Sequence, residues 1–301
     1  MIKQQPVGLP EGIYFGLDDE KYHNDPALSH SGMTKLLISW PDFWVNSSLN
    51  PQRKKFEATA AMEFGKQSGM LLTQPKVFHQ MYNTHGRSNP TSKGNWLSSV
   101  QWQKLTESVD AIIDVKIGAE HFQDGYAEVA VVWRDPDTGI MLRAKFDFLR
   151  TFGIIDVKRI KAMDDWTIGN AVRDQGLDIQ NFLYLEGMKA ARRMLNAMSD
   201  DEFNAFCLQQ KVDSVWLAEF AQDTDVMFRF LFQRSTPPYI WDFVELEEDA
   251  LIEGANSVYA AIQRYKAGLE MFGIGKPPLG RERVRKIGSF FIPRRRYQYE
   301  D

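Results

Sequence analysis

The feature that most constrains this chain is a change of hydrophobic period near residue 125. Upstream, apolar residues recur mainly at helical spacing. From Tyr126 onward three successive segments alternate with period two, and each places an acidic residue among its polar positions. Such alternation marks strands with one buried face. Over 126–133 it assigns Ala127, Val129, Val131 and Trp133 to one face and Glu128, Ala130 and Val132 to the other. Asp135-Pro-Asp-Thr-Gly139 is a strong turn signal. Over 140–149, Ile140, Leu142, Ala144, Phe146 and Phe148 share a face, opposite Arg143, Lys145 and Asp147. A third short strand is expected over 153–158.

Helices are expected around these strands. Ser29 reads as an N-cap ahead of a short helix through Ser31-Gly-Met-Thr-Lys-Leu-Leu, which Pro41 closes or kinks. Residues 57–72, 100–117, 176–193 and 246–270 have helical spacing. Gly65 and Gly69 weaken the first of these and imply close packing or a ligand nearby. Residues 82–99, with Arg87, Lys93 and Trp96, read as a long mobile loop. Further strands are expected near 213–220, 225–233 and 239–244. The fold class is α/β (α+β), with a central mixed sheet opened by a hairpin and flanked by helices. The expected organisation is a single domain over 1–301. It has an N-terminal helical part (1–120), a core (121–195), and C-terminal strands, helix and basic tail (196–301).

Composition narrows the function classes. With 44% hydrophobic and 25% charged residues, the chain can bury a sizeable core. Its one cysteine, Cys207, cannot form an internal disulfide and reads as a buried thiol. A net charge of −4 argues against indiscriminate coating of nucleic acid but permits a local basic groove. The tail, with Arg281, Arg283, Arg285, Lys286 and Arg294–Arg296, reads either as a phosphate-backbone contact or as a solvated terminus. No signal peptide and no run of ~18 apolar residues is seen, so a cytoplasmic protein without a membrane segment is expected.

The chemistry lies in the alternating segments. Side chains two apart on a strand share a face, so Asp156 and Lys158 point the same way, with Ile155 and Val157 behind them. If the three strands are neighbours, Glu128, Asp147 and Asp156 converge beside Lys158. Carboxylates held this closely need a cation between them. Oxygen ligands suit Mg²⁺, with Mn²⁺ able to substitute. A metal there would serve phosphodiester cleavage. Lys158 would orient water, take its proton or stabilise the charged transition state. The plainer alternative is a surface salt-bridge array on an edge hairpin. The pentapeptide Ile-Ile-Asp-Val-Lys also occurs at 112–116, where it continues a helical pattern and reads as a solvated helix end. On the helix after the strands, Gln180 and Tyr184 are four apart and share a face with Met188.

The order Glu128, Asp147, Asp156-x-Lys158, Gln180-x-x-x-Tyr184 resembles the PD-(D/E)XK nucleases of the RecB/lambda-exonuclease type, in particular the RecE-like phage exonuclease domain. The resemblance covers roughly residues 11–190. It includes Gly12-Ile-Tyr-Phe, Tyr22-His23, Pro26-Ala-Leu-Ser29-His-Ser31, Phe64-Gly65, Gln74-Pro75 and the hairpin from Ala127 through Arg143 to Asp147. It implies a restriction-endonuclease-like core and a Mg²⁺-dependent exonuclease that degrades one strand of linear duplex DNA from its end, 5′-to-3′, in phage or prophage recombination. Metal would be held by Glu128, Asp147, Asp156 and the Val157 carbonyl. Gln180 and Tyr184 would contact the DNA backbone or brace the site. Ser31 would hold a terminal 5′-phosphate, and Arg143 is taken with it as a DNA contact. Implied partners are double-stranded DNA ends, a single-strand annealing protein and further copies in a ring-shaped homo-oligomer, in a bacterial host's cytoplasm. The family's histidine four residues after Gly65 is replaced here by Gly69, with His79, His85 or Glu63 as substitutes. An endonuclease or single-strand nuclease of the same fold, or a catalytically weakened DNA-binding protein, are the alternatives.

Overall fold

The three alternating segments form adjacent strands of one sheet. A computed structural model describes residues 5–54, 57–84 and 95–277. Its strands are β1 (Gly12–Phe15), β2 (Tyr82–Thr84), β3 (Asn95–Leu97), β4 (Gly125–Arg134), β5 (Met141–Arg150), β6 (Gly153–Ile160), β7 (Met227–Arg234) and β8 (Trp241–Val244). Six of them make a mixed sheet of order β1-β4-β5-β6-β7-β8, antiparallel throughout except for the parallel pair β6/β7. The β4–β5 hairpin closes through Asp135. Its carboxylate accepts from Thr138 N at 2.9 Å, and Gly139 takes the left-handed φ of +72° that the turn requires.

The helices are α1 (Asp19–Asn24), α2 (His30–Ile38), α3 (Trp40–Asn46), α4 (Ala60–Thr73), α5 (Pro75–Met81), α6 (Ser99–Ile113), α7 (Lys116–His121), α8 (Asp165–Gln175), α9 (Leu177–Asn196), α10 (Asp200–Gln210), α11 (Ser214–Gln222) and α12 (Glu248–Phe272). They cover both faces of the sheet. On one face Val129, Val131, Ala144, Phe146, Phe230 and Phe232 pack with Leu183 and Met188 of α9 and with Ile262 and Tyr265 of α12. On the other, Phe148, Ile155 and Leu231 pack with Leu105, Val109 and Ile112 of α6 and with Leu71 and Leu72 of α4. Buried Arg192 of α9 ties the first layer down by donating to Thr151 O, Phe220 O and Asp225 O. Among the described residues no helix is long and apolar enough to cross a membrane.

Several local expectations are corrected. Residues 213–220 are not a strand but the helix α11. Asp213 caps it by accepting from Trp216 N at 2.8 Å, and Leu217, Phe220 and Ala221 are buried at helical spacing. The helix expected over 100–117 breaks after Ile113, and α7 folds back on it. Gly118 permits that approach, since a Cβ there would lie 2.2 Å from Ile112 O. Close packing does not explain Gly65 or Gly69, because a Cβ at either would meet nothing within 4 Å. The ends of the segment expected as a loop over 82–99 pair in parallel as β2 and β3. Arg87, Lys93 and His85 in that segment, and the basic tail beyond residue 277, lie outside the described residues.

Candidate metal and nuclease site

The site begins where strand alternation fails. Val129 and Phe146 pack against α9, whereas Ala127 and Phe148 face the α6 side. The expected sharing of faces by Ala127 with Val129, and by Phe146 with Phe148, is therefore overturned. Between the register pairs Ala127–Phe148 and Val129–Phe146 stand Glu128 and Asp147, where the pairing is interrupted. Glu128 has a φ of +57°, in the left-handed region, which costs a non-glycine residue about 1–2 kcal/mol. Strain of this kind gathers at functional positions.

A second break lies beside the first. Strands β5 and β6 are hydrogen-bonded only from Phe148–Arg150 to Gly153–Ile155. Beyond that they part, and the segment before α2 takes up the free edge of β5. Leu28 N donates to Met141 O at 2.8 Å, and Arg143 N donates to Leu28 O at 3.0 Å. Asp147 and Asp156 are the first residues past the last pair, at the vertex of the opening. Asp147 Oδ2 there accepts from Val157 N at 2.9 Å, replacing a bond of the interrupted ladder.

Asp156 is 1% exposed. Its Oδ1 accepts from Gln180 Nε2 at 2.6 Å, and its Oδ2 is ion-paired with the Lys158 ammonium. Gln180 and Tyr184, on the inner face of α9, are both buried. Tyr184 meets the rings of Phe146 and Phe228 edge-on at 5.4 and 6.1 Å. Both side chains therefore lie inside the fold rather than at its surface. Burial and the charge of Asp156 together push Asp147 up to about 8. Glu128 adds to the effect, while Lys158 and the Val157 N–H pull against it.

Glu128 is aligned with the acid pair by register, but its side chain turns elsewhere. Lys145 Nζ lies 2.5 Å from Glu128 Oε2 and 2.5 Å from Asp19 Oδ1, and Lys66 Nζ lies 2.6 Å from Asp19 Oδ2. Burial raises Asp19, but the hydrogen bonds from Lys145 and Lys66 outweigh it and hold this acid at about 2. Among the described residues no group of three or more His, Cys, Asp or Glu side chains is arranged to hold a metal ion. The donors in place are two hard-oxygen carboxylates, one of them raised first by burial and then by the charge of the other. A divalent cation relieves that repulsion, so this pair fits such an ion.

The other expected residues lie around the opening. Arg143 is buried with its guanidinium 4.6 Å from the Tyr22 ring centre, and neither Nε nor Nη1 has a hydrogen-bond partner among the described residues. Ser31 is exposed, with its Oγ 3.2 Å from Ser29 Oγ. Ser29 caps α2. The Asp114 copy of the motif ends α6, and among the described residues Lys116 there pairs only with Glu120, its side chain 88% exposed. Sequence reasoning gave no role to Lys145, which pairs with Glu128, to Asp19, which pairs with Lys145, or to His30, which reaches Gly176 O from α2. Lys145 alternates with Asp147 on one strand, a signal that could have marked it. No local signal marks Asp19, and His30 lies inside the Ser29-His-Ser31 stretch without a signal of its own.

No protein-family model and no curated protein matches the chain. Among solved structures it is similar to a crystal structure from Eubacterium rectale named as a "putative exonuclease", with a TM-score of 0.53 and 14% identity over 84% of this chain and 88% of that one. At that identity the likeness is one of fold, over most of both chains.

Proposed function

We propose that this chain is a metal-dependent nuclease of the PD-(D/E)XK type, acting on DNA. The observation that carries the reading is the acid pair Asp147 and Asp156 at the vertex where β5 and β6 part, Asp156 buried and Asp147 half-buried, with Lys158 on Asp156. Two repelling carboxylates, one of them buried, are costly to keep unless something uses them. The name carried by the Eubacterium rectale neighbour points the same way.

Asp147 and Asp156 would hold Mg²⁺ or Mn²⁺, with Glu128 and the Val157 carbonyl as further oxygens. Such an ion polarises a phosphoryl oxygen and acidifies water. Gln180 fixes the Asp156 carboxylate through Oδ1. Lys158, held beside Asp156, stands to orient the attacking water and to stabilise the charge that develops on the phosphoryl oxygens. Arg143 has spare donors of the kind a backbone phosphate accepts. Ser31, exposed at the start of α2, is available for a second phosphate. Digestion from a duplex end, 5′-to-3′ polarity and a place in phage recombination complete the reading, on the resemblance to RecE-like domains.

The test is digestion of 5′- and 3′-labelled linear duplex DNA, and of closed-circular DNA, with and without Mg²⁺. Metal-dependent shortening of the linear substrate with an intact circle is the expected result. Cutting of the circle would mean an endonuclease. DNA binding without any product in Mg²⁺ or Mn²⁺ would leave a binding protein and end the nuclease reading.

A further inference from the structure

We propose that His30 is a positioning residue for the Asp156–Lys158 pair, acting through the first turn of α9. The proposal rests on the nuclease reading above and extends it to a residue of α2. His30 is the first residue of α2, and its Nε2 lies 2.9 Å from Gly176 O. A carbonyl can only accept, so Nε2 carries the proton. Gly176 O also receives the Gln180 N–H at 3.1 Å. The Gln180 side chain in turn donates to Asp156 Oδ1, and Asp156 is paired with Lys158. One carbonyl thus joins α2 to the helix turn that grips the buried acid.

That turn needs outside support. The N-cap of α9 is Gly176, with a φ of 63°, and no side chain caps the helix. The first N–H groups of a helix have no partner within it, and no side chain supplies one here. Helices α8 and α9 meet at this one glycine. A Cβ on it would come within 2.8 Å of Thr34 Cγ2, so α2 lies directly against the junction. His30 and Thr34 are four apart and share a face of α2. Thr34 sets the approach by contact, and His30 fastens it by a hydrogen bond. Burial and the nearby Lys158 charge both disfavour the imidazolium. The ring is therefore a neutral donor of fixed tautomer, as a tether between elements requires.

The experiment compares the full-length parent with His30→Gln, whose amide can still donate, and His30→Leu, which keeps volume without a donor. Three readouts are taken: hydrogen exchange over residues 177–184, Mn²⁺ affinity by titration calorimetry, and kcat and KM on linear duplex DNA. For His30→Leu the expected result is faster exchange over 177–184 and a loss of about 10- to 100-fold in kcat or Mn²⁺ affinity, with KM for DNA unchanged. His30→Gln should stay close to the parent in all three. Parent-like behaviour of His30→Leu would overturn the proposal. Equal failure of both variants with normal exchange would also overturn it, since the imidazole would then touch the ion or substrate itself. If the parent neither cuts DNA nor binds Mn²⁺, the nuclease reading fails. The exchange comparison still decides the tether, and unchanged exchange in His30→Leu would refute it.

Discussion

The pentapeptide Ile-Ile-Asp-Val-Lys occurs twice in this chain, and its two copies have different conformations. At 112–116 it straddles the end of α6 and the start of α7. Ile112 is buried, Ile113 and Val115 are exposed, and Lys116 pairs with Glu120 across one helical turn. At 154–158 it is a central strand between β5 and β7. There both isoleucines and Asp156 are buried, and Lys158 is drawn onto the acid. Burial changes what the same Asp and Lys can do. In water the pair would be worth about 0–1 kcal/mol. Beside Asp147 and away from water, each charge acts strongly on its neighbours.

The largest expected effect separates the two copies directly. Asp156→Ala or Lys158→Ala should lower DNA cleavage by at least about 10²–10³-fold. Asp114→Ala and Lys116→Ala should leave it within error. Comparable losses from both pairs in one assay would erase the distinction. Gln180→Leu comes next. It leaves Asp156 Oδ1 without its buried donor, so urea unfolding should show a loss of roughly 1–3 kcal/mol. Activity should fall with it by about 10- to 100-fold.

Asp147→Asn should act oppositely on stability. The folded pKa of Asp147 is raised to about 8, well above the ordinary carboxylate value. A carboxyl raised in this way contributes stability below about pH 4 and loses it as pH rises through about 8. At pH 9 without metal the Asn variant should therefore melt higher than the parent, by about 2–4 °C for each kcal/mol of repulsion relieved. Mn²⁺ should narrow the gap by stabilising the parent. A lower melting temperature for the variant at pH 9 would remove the argument that the pair awaits a cation.

The smallest effect concerns Asp19, held at about 2 by Lys145 and Lys66. A depressed acid contributes stability above its unfolded value near 4 and loses it as pH falls towards 2. Asp19 is 43% exposed, so the contribution is about 0–1 kcal/mol. Lys145→Met should flatten stability between pH 4 and 2 in acid titrations followed by circular dichroism. An unchanged acid limb would show that the Lys145 pairing carries no weight.

Much of this architecture is legible along the chain because its signals are local. Alternation over 126–158 needs only the two-residue repeat of a strand. The Asp135–Gly139 turn needs only its own side chains, and the long helix α12 is marked by apolar spacing. The misreadings have local causes too. Residues 213–220 have a β-compatible run, but Asp213 caps a helix whose Leu217 and Phe220 find a core. Simple alternation cannot foresee a left-handed Glu128, which sends Ala127 and Val129 to opposite faces.

The acid–lysine pair at 156 and 158 was determined by sequence alone in one respect: residues two apart on a strand must share a face. Which of two identical pentapeptides would be that strand was a tertiary decision, made by the pairing of β6 with β7 and by the partial pairing with β5. Tertiary structure also turned Glu128 towards Lys145 and brought His30 to Gly176, 146 residues away along the chain. Such contacts depend on where whole elements come to rest, and no short-range pattern of side chains encodes that.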